Sequence, residues 1–218
     1  MNNQSFARFG GLSAIIVGAL SILYAIFFLV ISPRNEAVGA PGSWIILAVS
    51  GVFSSAAFVA LYERLRPTSA GFALWGLALG LFSSFATLAH GAYQALLILT
   101  LSSAGEGQRA AIEMARMVPS QIDPAGLATF GIIGLASLVT GFLILSGGLL
   151  PRMLGYLAVV NAVLLITLFF ATAAGAQTLI LLSGGLTSVI IGPIWWILLG
   201  RALRREPGAM VSSIPSVA

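Results

Sequence analysis

One stretch of the chain carries polar side chains at a spacing that could support binding or proton transfer. Gly76, Gly80, Ser83, Thr87, His90 and Gln94 follow one another at intervals of three or four residues. On an α-helix these intervals place all six on one narrow stripe. The small residues would let a neighbouring helix approach closely, and the polar groups could hydrogen-bond across helices or line a wet cavity. Because lipid would leave these groups without partners, we expect the stripe to face the interior of a helical bundle.

His90 is the most informative member of this stripe, because it is the only histidine in the chain. An ionisable side chain inside an apolar segment is costly and is therefore a candidate functional group. It could hold a ligand or carry a proton; alternatively, a neutral imidazole could hydrogen-bond to a neighbour and fix the helix register. Asn161, midway along another apolar stretch, is the partner we predict for it. The candidate site thus comprises Ser83, Thr87, His90, Gln94 and Asn161.

The residue inventory excludes several kinds of site. The chain has no Cys and a single His, so it can build neither a zinc site of the usual ligands nor a bis-histidine haem site. It has no Lys for a Schiff base. A rhomboid-type protease needs Gly-x-Ser-Gly followed by His, but Ser146 and Ser183 lack the upstream glycine and His90 precedes both. We therefore predict no catalytic residues, cofactor or metal, and an enzyme is the least favoured class.

The elements that must position the stripe are long apolar runs. Hydrophobic residues make up 59% of the 218 and charged residues only 7%, whereas soluble domains carry about 25% charged residues. Six runs match the length of a membrane-crossing helix, and none has the two-residue alternation of a strand. They lie at about 10–31, 43–61, 70–101, 126–148, 153–175 and 177–200. We predict an all-α, polytopic transmembrane bundle of six helices, whose first run is too long for a signal peptide and is retained.

Arginine distribution predicts the orientation of this bundle in the membrane. With the N-terminus inside, seven arginines are cytoplasmic and three lie outside, as the positive-inside rule requires. The inner set is Arg8, Arg64, Arg66, Arg152, Arg201, Arg204 and Arg205, and the outer set is Arg34, Arg109 and Arg116. We therefore predict a multi-pass protein of the cell membrane with both termini in the cytoplasm. The net charge of +4 reflects this topology and not nucleic-acid binding.

Two polar segments lie outside the apolar runs: one is a loop within the transmembrane domain, which we place at 1–206, and the other is a tail that follows this domain. The outer loop 102–125 contains Arg109, Glu113 and Arg116 on one helical face, which predicts a short amphipathic helix on the membrane surface or over the bundle. The tail 207–218 is rich in Ser, Pro and Gly and is predicted to be a disordered cytoplasmic segment.

Three short motifs suggest a family. The chain has Ala7-Arg8-Phe9-Gly10-Gly11-Leu12 before the first apolar run, Leu150-Pro151-Arg152-Met153-Leu154-Gly155 between the fourth and fifth, and Ile194-Trp195-Trp196-Ile197-Leu198-Leu199-Gly200 in the last. These resemble the Arg-x-x-Gly-Leu opening, the Pro-Arg-x-Leu-Gly turn and the Trp-rich closing helix of a bacterial family of small multi-helix membrane proteins without assigned function. The resemblance implies six helices and supplies no catalytic residues.

Two functions remain open from the sequence. A small permease, or a membrane protein that binds a small molecule or lipid, predicts a cavity along Ser83, Thr87, His90 and Gln94, reached past a break in the sixth helix at Pro193. An accessory or structural subunit of a larger membrane complex predicts that the same stripe is fully packed and dry. The expected partners are membrane lipid and either further copies of the chain or other subunits.

Overall fold

The computed structural model describes residues 3–103, 105, 107, 108, 110, 123 and 126–205. All regular secondary structure in this part of the chain is helical, and six helices are long and apolar enough to cross a membrane. These six spans, numbered first to sixth below, are Ser5–Ile31, Glu36–Leu65, Ala70–Leu101, Leu127–Gly147, Arg152–Ala173 and Gln177–Arg204. The predicted all-α fold with six apolar helices is confirmed. Most of the loop 102–125 and the tail 207–218 lie outside the described residues.

Three of the spans combine α-helix with a stretch of π-helix. The α-helices are α1 (Asn3–Ala25), α2 (Glu36–Leu65), α3 (Ala70–Ser103), α4 (Ile133–Gly147), α5 (Arg152–Ala173), α6 (Gln177–Gly185) and α7 (Gly192–Arg204). The first, second and third π segments are Ile26–Ile31, Leu127–Ile132 and Leu186–Ile191. The π-helix is rare in proteins. Where it interrupts an α-helix, it frequently lies at a functional site.

The third π segment lies at the point where the sequence predicts a local opening. It ends at Ile191, directly before Gly192 and Pro193. Proline has no N–H and its ring clashes with the carbonyl of the preceding turn, so regular α-helix cannot pass through this point undisturbed. The helix forms a wider turn here: the N–H of Gly192 donates to the carbonyl of Thr187, five residues earlier.

Each span packs against its neighbours in the sequence, and the sixth returns to the first. Glycines permit the closest approaches, as is usual between membrane helices. A Cβ atom added to Gly11 would lie 2.8 Å from the carbonyl oxygen of Gly200, and one on Gly51 would lie 2.5 Å from that of Ser84. The backbones of the first and sixth spans, and of the second and third, are therefore in direct contact.

The two ends of the bundle differ in packing. The proximal end, where the first span begins, contains a dense core that includes Phe58, Leu61, Trp195 and Leu199. The indole N–H of Trp195 donates to the carbonyl of Leu154 at 3.0 Å, so this buried polar group is paired. The opposite, distal end is less densely filled and holds the cavities described next.

Candidate functional site

The three π segments meet around one cavity in the distal half of the bundle. This inner cavity has a volume of about 390 Å³. Phe28 and Leu29 of the first π segment, Phe130 of the second and Ser188 of the third all line it. The widened helices are thus gathered at a single place, which is the pattern expected of a ligand site and not of scattered packing defects.

The distal half of the predicted stripe reaches this cavity. His90 and Gln94 both line it, and Gln94 is only 8% exposed. The imidazole of His90 packs against the Trp44 ring in a T-shaped arrangement, with ring centroids 5.2 Å apart and an interplanar angle of 72°. Gly91 makes this contact possible, because a Cβ atom there would lie 2.6 Å from both the carbonyl oxygen of Trp44 and the amide nitrogen of Ala48. The close approach of α2 to α3 therefore sets the indole against the imidazole.

The proximal half of the stripe is packed instead. The side chain of Ser83 is completely buried and donates a hydrogen bond of 2.7 Å to the carbonyl of Ala128. Thr87 is half-buried between Ser83 and His90. Neither lines the inner cavity. The stripe therefore divides into a structural half and a cavity-lining half.

Asn161 is buried on the fifth span, and its amide oxygen has no hydrogen-bond partner among the described residues. It lies nine residues from the proximal end of its span, whereas His90 lies twenty from the proximal end of the third. At about 1.5 Å per residue the two differ in depth by about 16 Å. The contact predicted between them is therefore not supported, and the ring against His90 is that of Trp44.

Asp123, which belongs to the predicted outer loop 102–125, also lines the cavity. Asp123 accepts hydrogen bonds from the N–H groups of Ala128 at 2.9 Å and Thr129 at 2.7 Å, and so caps the start of the fourth span. Gly126 between them has a φ of 69°, a left-handed conformation that favours glycine. An Asp shortly before an apolar run is a helix-start signal, and this signal could have identified the residue.

A second cavity adjoins the first on its distal side. This outer cavity has a volume of about 480 Å³ and is lined by residues that include Glu36. Phe28, Trp44 and Gln94 line both cavities and therefore form the boundary between them.

The inner cavity also borders the surrounding medium between the first and sixth spans. These spans are in contact near Gly18, where a Cβ atom would lie 3.1 Å from the carbonyl oxygen of Pro193. Further toward the distal end both spans contribute to the cavity wall, with Leu29 at 37% exposure and Leu181 at 58%. Apolar side chains exposed in this way are suited to contact with lipid chains, so hydrocarbon would reach the edge of the cavity.

The chemistry of the lining favours a hydrophobic ligand with a neutral or cationic polar end. Aromatic rings of Tyr24, Phe28, Trp44 and Phe130 surround the cavity, and such rings attract cations. The charged group among the described lining residues is the carboxylate of Asp123; no described lining residue is Arg, and the chain has no Lys. Within the part of the chain that the structure describes, no three His, Cys, Asp or Glu residues are grouped to hold a metal ion.

In the part of the chain that the structure describes, these features define an all-helical fold whose six apolar helices have membrane-spanning length and line a cavity at one end. The chain was compared with family models, curated proteins and solved structures, and none matches it. The resemblance to a bacterial family of small membrane proteins therefore stays a prediction.

Proposed function

We propose that this is a multi-pass protein of the cell membrane that binds a small hydrophobic or amphiphilic molecule, neutral or cationic, in its inner cavity. One observation carries the proposal. The inner cavity is lined by residues of all three π segments and by three polar side chains, those of His90, Gln94 and Asp123. A packed structural bundle needs none of these features at the same place.

Charge at the two ends of the bundle supports an orientation with both termini in the cytoplasm. The described proximal end carries Arg8, Arg64, Arg66, Arg152, Arg201, Arg204 and Arg205, whereas the described distal end carries Arg34. An excess of arginine marks the cytoplasmic side. In this orientation the inner cavity lies in the outer half of the membrane, and its ligand enters from the outer leaflet or through the outer cavity.

This geometry fits a binding protein better than an open channel. The proximal half is closed by the core around Phe58 and Trp195, whose neighbour Trp196 meets the Phe58 ring edge-on at 5.7 Å. Passage across the membrane would require the glycine contacts between the first and sixth spans to separate. The accessory-subunit alternative calls for a dry, packed stripe, which fits Ser83 but not His90 or Gln94.

A pair of matched probes tests the proposal. Tetraphenylphosphonium and tetraphenylborate have closely similar size and hydrophobicity but opposite charge. The purified protein in lipid nanodiscs should bind the cation more tightly than the anion, with protein-free nanodiscs correcting for partition into lipid. The His90→Ala variant should weaken binding of the cation, because it removes a group that lines the cavity. It should keep the fold, because the hydrophobic core around Phe58 and Trp195 does not include His90.

The matched control is Ser83→Ala, which changes the same stripe on α3 outside the cavity and should leave probe affinity unaltered. Equal binding of both ions, or no binding above that of the nanodiscs, would refute the cation preference or the site itself. A His90→Ala variant that loses stability and keeps affinity would support the packing role of the imidazole instead.

A further inference from the structure

A second site lies at the opposite end of the bundle from the inner cavity. We propose that the proximal ends of the first and sixth spans bind the phosphate of an anionic phospholipid headgroup. Arg8, Arg201, Arg204 and Arg205 line a surface pocket of about 450 Å³, named here the arginine pocket. All four side chains are exposed. The site is independent of the proposed ligand cavity.

Direct helix contact brings these arginines together. Gly11 and Gly200 let the first and sixth spans touch, and a Cβ atom on Gly11 would lie 2.6 Å from the Cγ atom of Arg204. The aliphatic stem of Arg204 therefore lies over the glycine, and Arg204 lines the same pocket as Arg8 on the other span. Arg201 and Arg204 are three residues apart and share a face of α7.

The chain leaves the helix at Arg205 in an extended conformation, with a ψ of 140°. The carbonyl of Arg205 accepts a hydrogen bond of 3.1 Å from the guanidinium of Arg64 on the second span. This contact links the second span to the point where the chain leaves the sixth span. Arg205, the fourth residue that lines the arginine pocket, is therefore hydrogen-bonded to a neighbouring helix.

Helix electrostatics account for only part of this cluster. Cations are stabilised at the C-terminus of a helix, which explains Arg201 and Arg204 in the last turn of α7. Arg8 lies near the N-terminus of α1, where the helix dipole does not favour a positive charge. Since four guanidinium groups line one pocket, an anion placed there would interact favourably with all four.

The described residues offer one carboxylate at the proximal end, that of Glu63, and it lies 3.5 Å from the Nε atom of Arg66. Phosphate suits the arginine pocket because guanidinium groups bind its oxygens in pairs. A lipid headgroup is the source that fits best, because basic pockets at the cytoplasmic ends of membrane helices lie at the depth of the headgroups. Glu206 follows Arg205 in the sequence and lies outside the described residues, so the experiment includes it.

The test is a titration of the full chain in detergent with short-chain phosphatidylglycerol, phosphatidylcholine and inorganic phosphate. The wild-type protein should bind phosphatidylglycerol more tightly than phosphatidylcholine. The double variant Arg201→Gln, Arg204→Gln should lose about thirtyfold in affinity for phosphatidylglycerol, as expected for two arginines that contact an anionic lipid. The control double variant Arg66→Gln, Arg152→Gln removes the same charge at the same end outside the pocket and should retain the preference.

Several outcomes would overturn the proposal. Equal losses in the two double variants would mean that general charge at this end, and not the pocket, attracts the lipid. Displacement by inorganic phosphate at concentrations equal to those of the lipid would assign the pocket to a free anion. A preference that emerges only in Glu206→Gln would mean that the chain's own carboxylate occupies the pocket. Thermal unfolding of every variant identifies losses that come from misfolding.

Discussion

Gly185 offers a direct way to fill the inner cavity without disturbing its walls. It borders the cavity on the sixth span, and no atom lies within 4 Å of the position that its Cβ atom would occupy. Its backbone is right-handed helical, with φ of −62° and ψ of −49°, a conformation that L residues adopt without backbone strain. The Gly185→Leu variant should therefore fold and place its side chain inside the cavity.

The expected loss of ligand-binding free energy follows from the cavity volume that the leucine side chain would occupy. Leucine adds four carbon atoms, and each buried methylene contributes about 0.8 kcal/mol. A ligand excluded from that space loses about 3 kcal/mol of binding free energy, which corresponds to about a hundredfold rise in Kd. Replacing glycine within a helix should at the same time raise the stability of the protein by up to about 1 kcal/mol.

The assay compares tetraphenylphosphonium affinity and thermal unfolding in Gly185→Leu with those in Gly71→Leu. Gly71 is also a helical glycine with nothing within 4 Å of its Cβ position, but it lies at the proximal start of α3. The control should bind the probe normally. The reasoning is refuted if Gly185→Leu folds with raised or unchanged stability and still binds the probe with wild-type affinity, because the cavity would then not be the site.

Three further variants test individual hydrogen bonds and helix contacts of the bundle. Ser83→Ala should lower the unfolding free energy by about 1 kcal/mol, since the carbonyl of Ala128 loses its buried donor; unchanged stability would contradict this. Asp123→Ala removes the cap of the fourth span and should cost about 1 kcal/mol, measured by denaturation, while Asp123→Asn should cost less. Gly91→Ala forces α2 and α3 apart at Trp44 and should lower both thermal stability and probe affinity; a neutral result would mean that the helices separate freely.

Fold class could be predicted from the sequence because lipid imposes a simple rule on apolar runs. The six spans follow from their length and lack of charge, and the turn at Gly175, with a φ of 67°, lies where the sequence indicates one. The start of the second span is the main discrepancy, because the apolar run predicts residue 43 and the helix begins at Glu36. Pro41 and Glu36 look like connector residues in the sequence, but the helix accommodates both before it becomes apolar.

The candidate site could be predicted only in part, for a physical reason. Intervals of three and four residues identify the stripe of Ser83, Thr87, His90 and Gln94, since helical periodicity is a local property. The location of a cavity is not local: whether a polar residue packs or faces open volume depends on the opposing spans. Asp123 and the π segments were missed because their roles depend on neighbouring turns, and the depth of Asn161 depends on where its span begins.

The π segments have a consequence for how the protein tolerates insertions and deletions. A π turn holds about one residue more than an α turn, and one residue corresponds to about 100° of rotation around the helix axis. Removing a single residue from Leu186–Ile191 would take away the extra residue of the π turn ahead of Pro193 and rotate α6 by about that angle relative to α7. Gly184, Gly185 and Ser188 would then leave the cavity wall while Trp195 stayed in the core. Single-residue length changes in this segment should therefore alter ligand choice before they prevent folding.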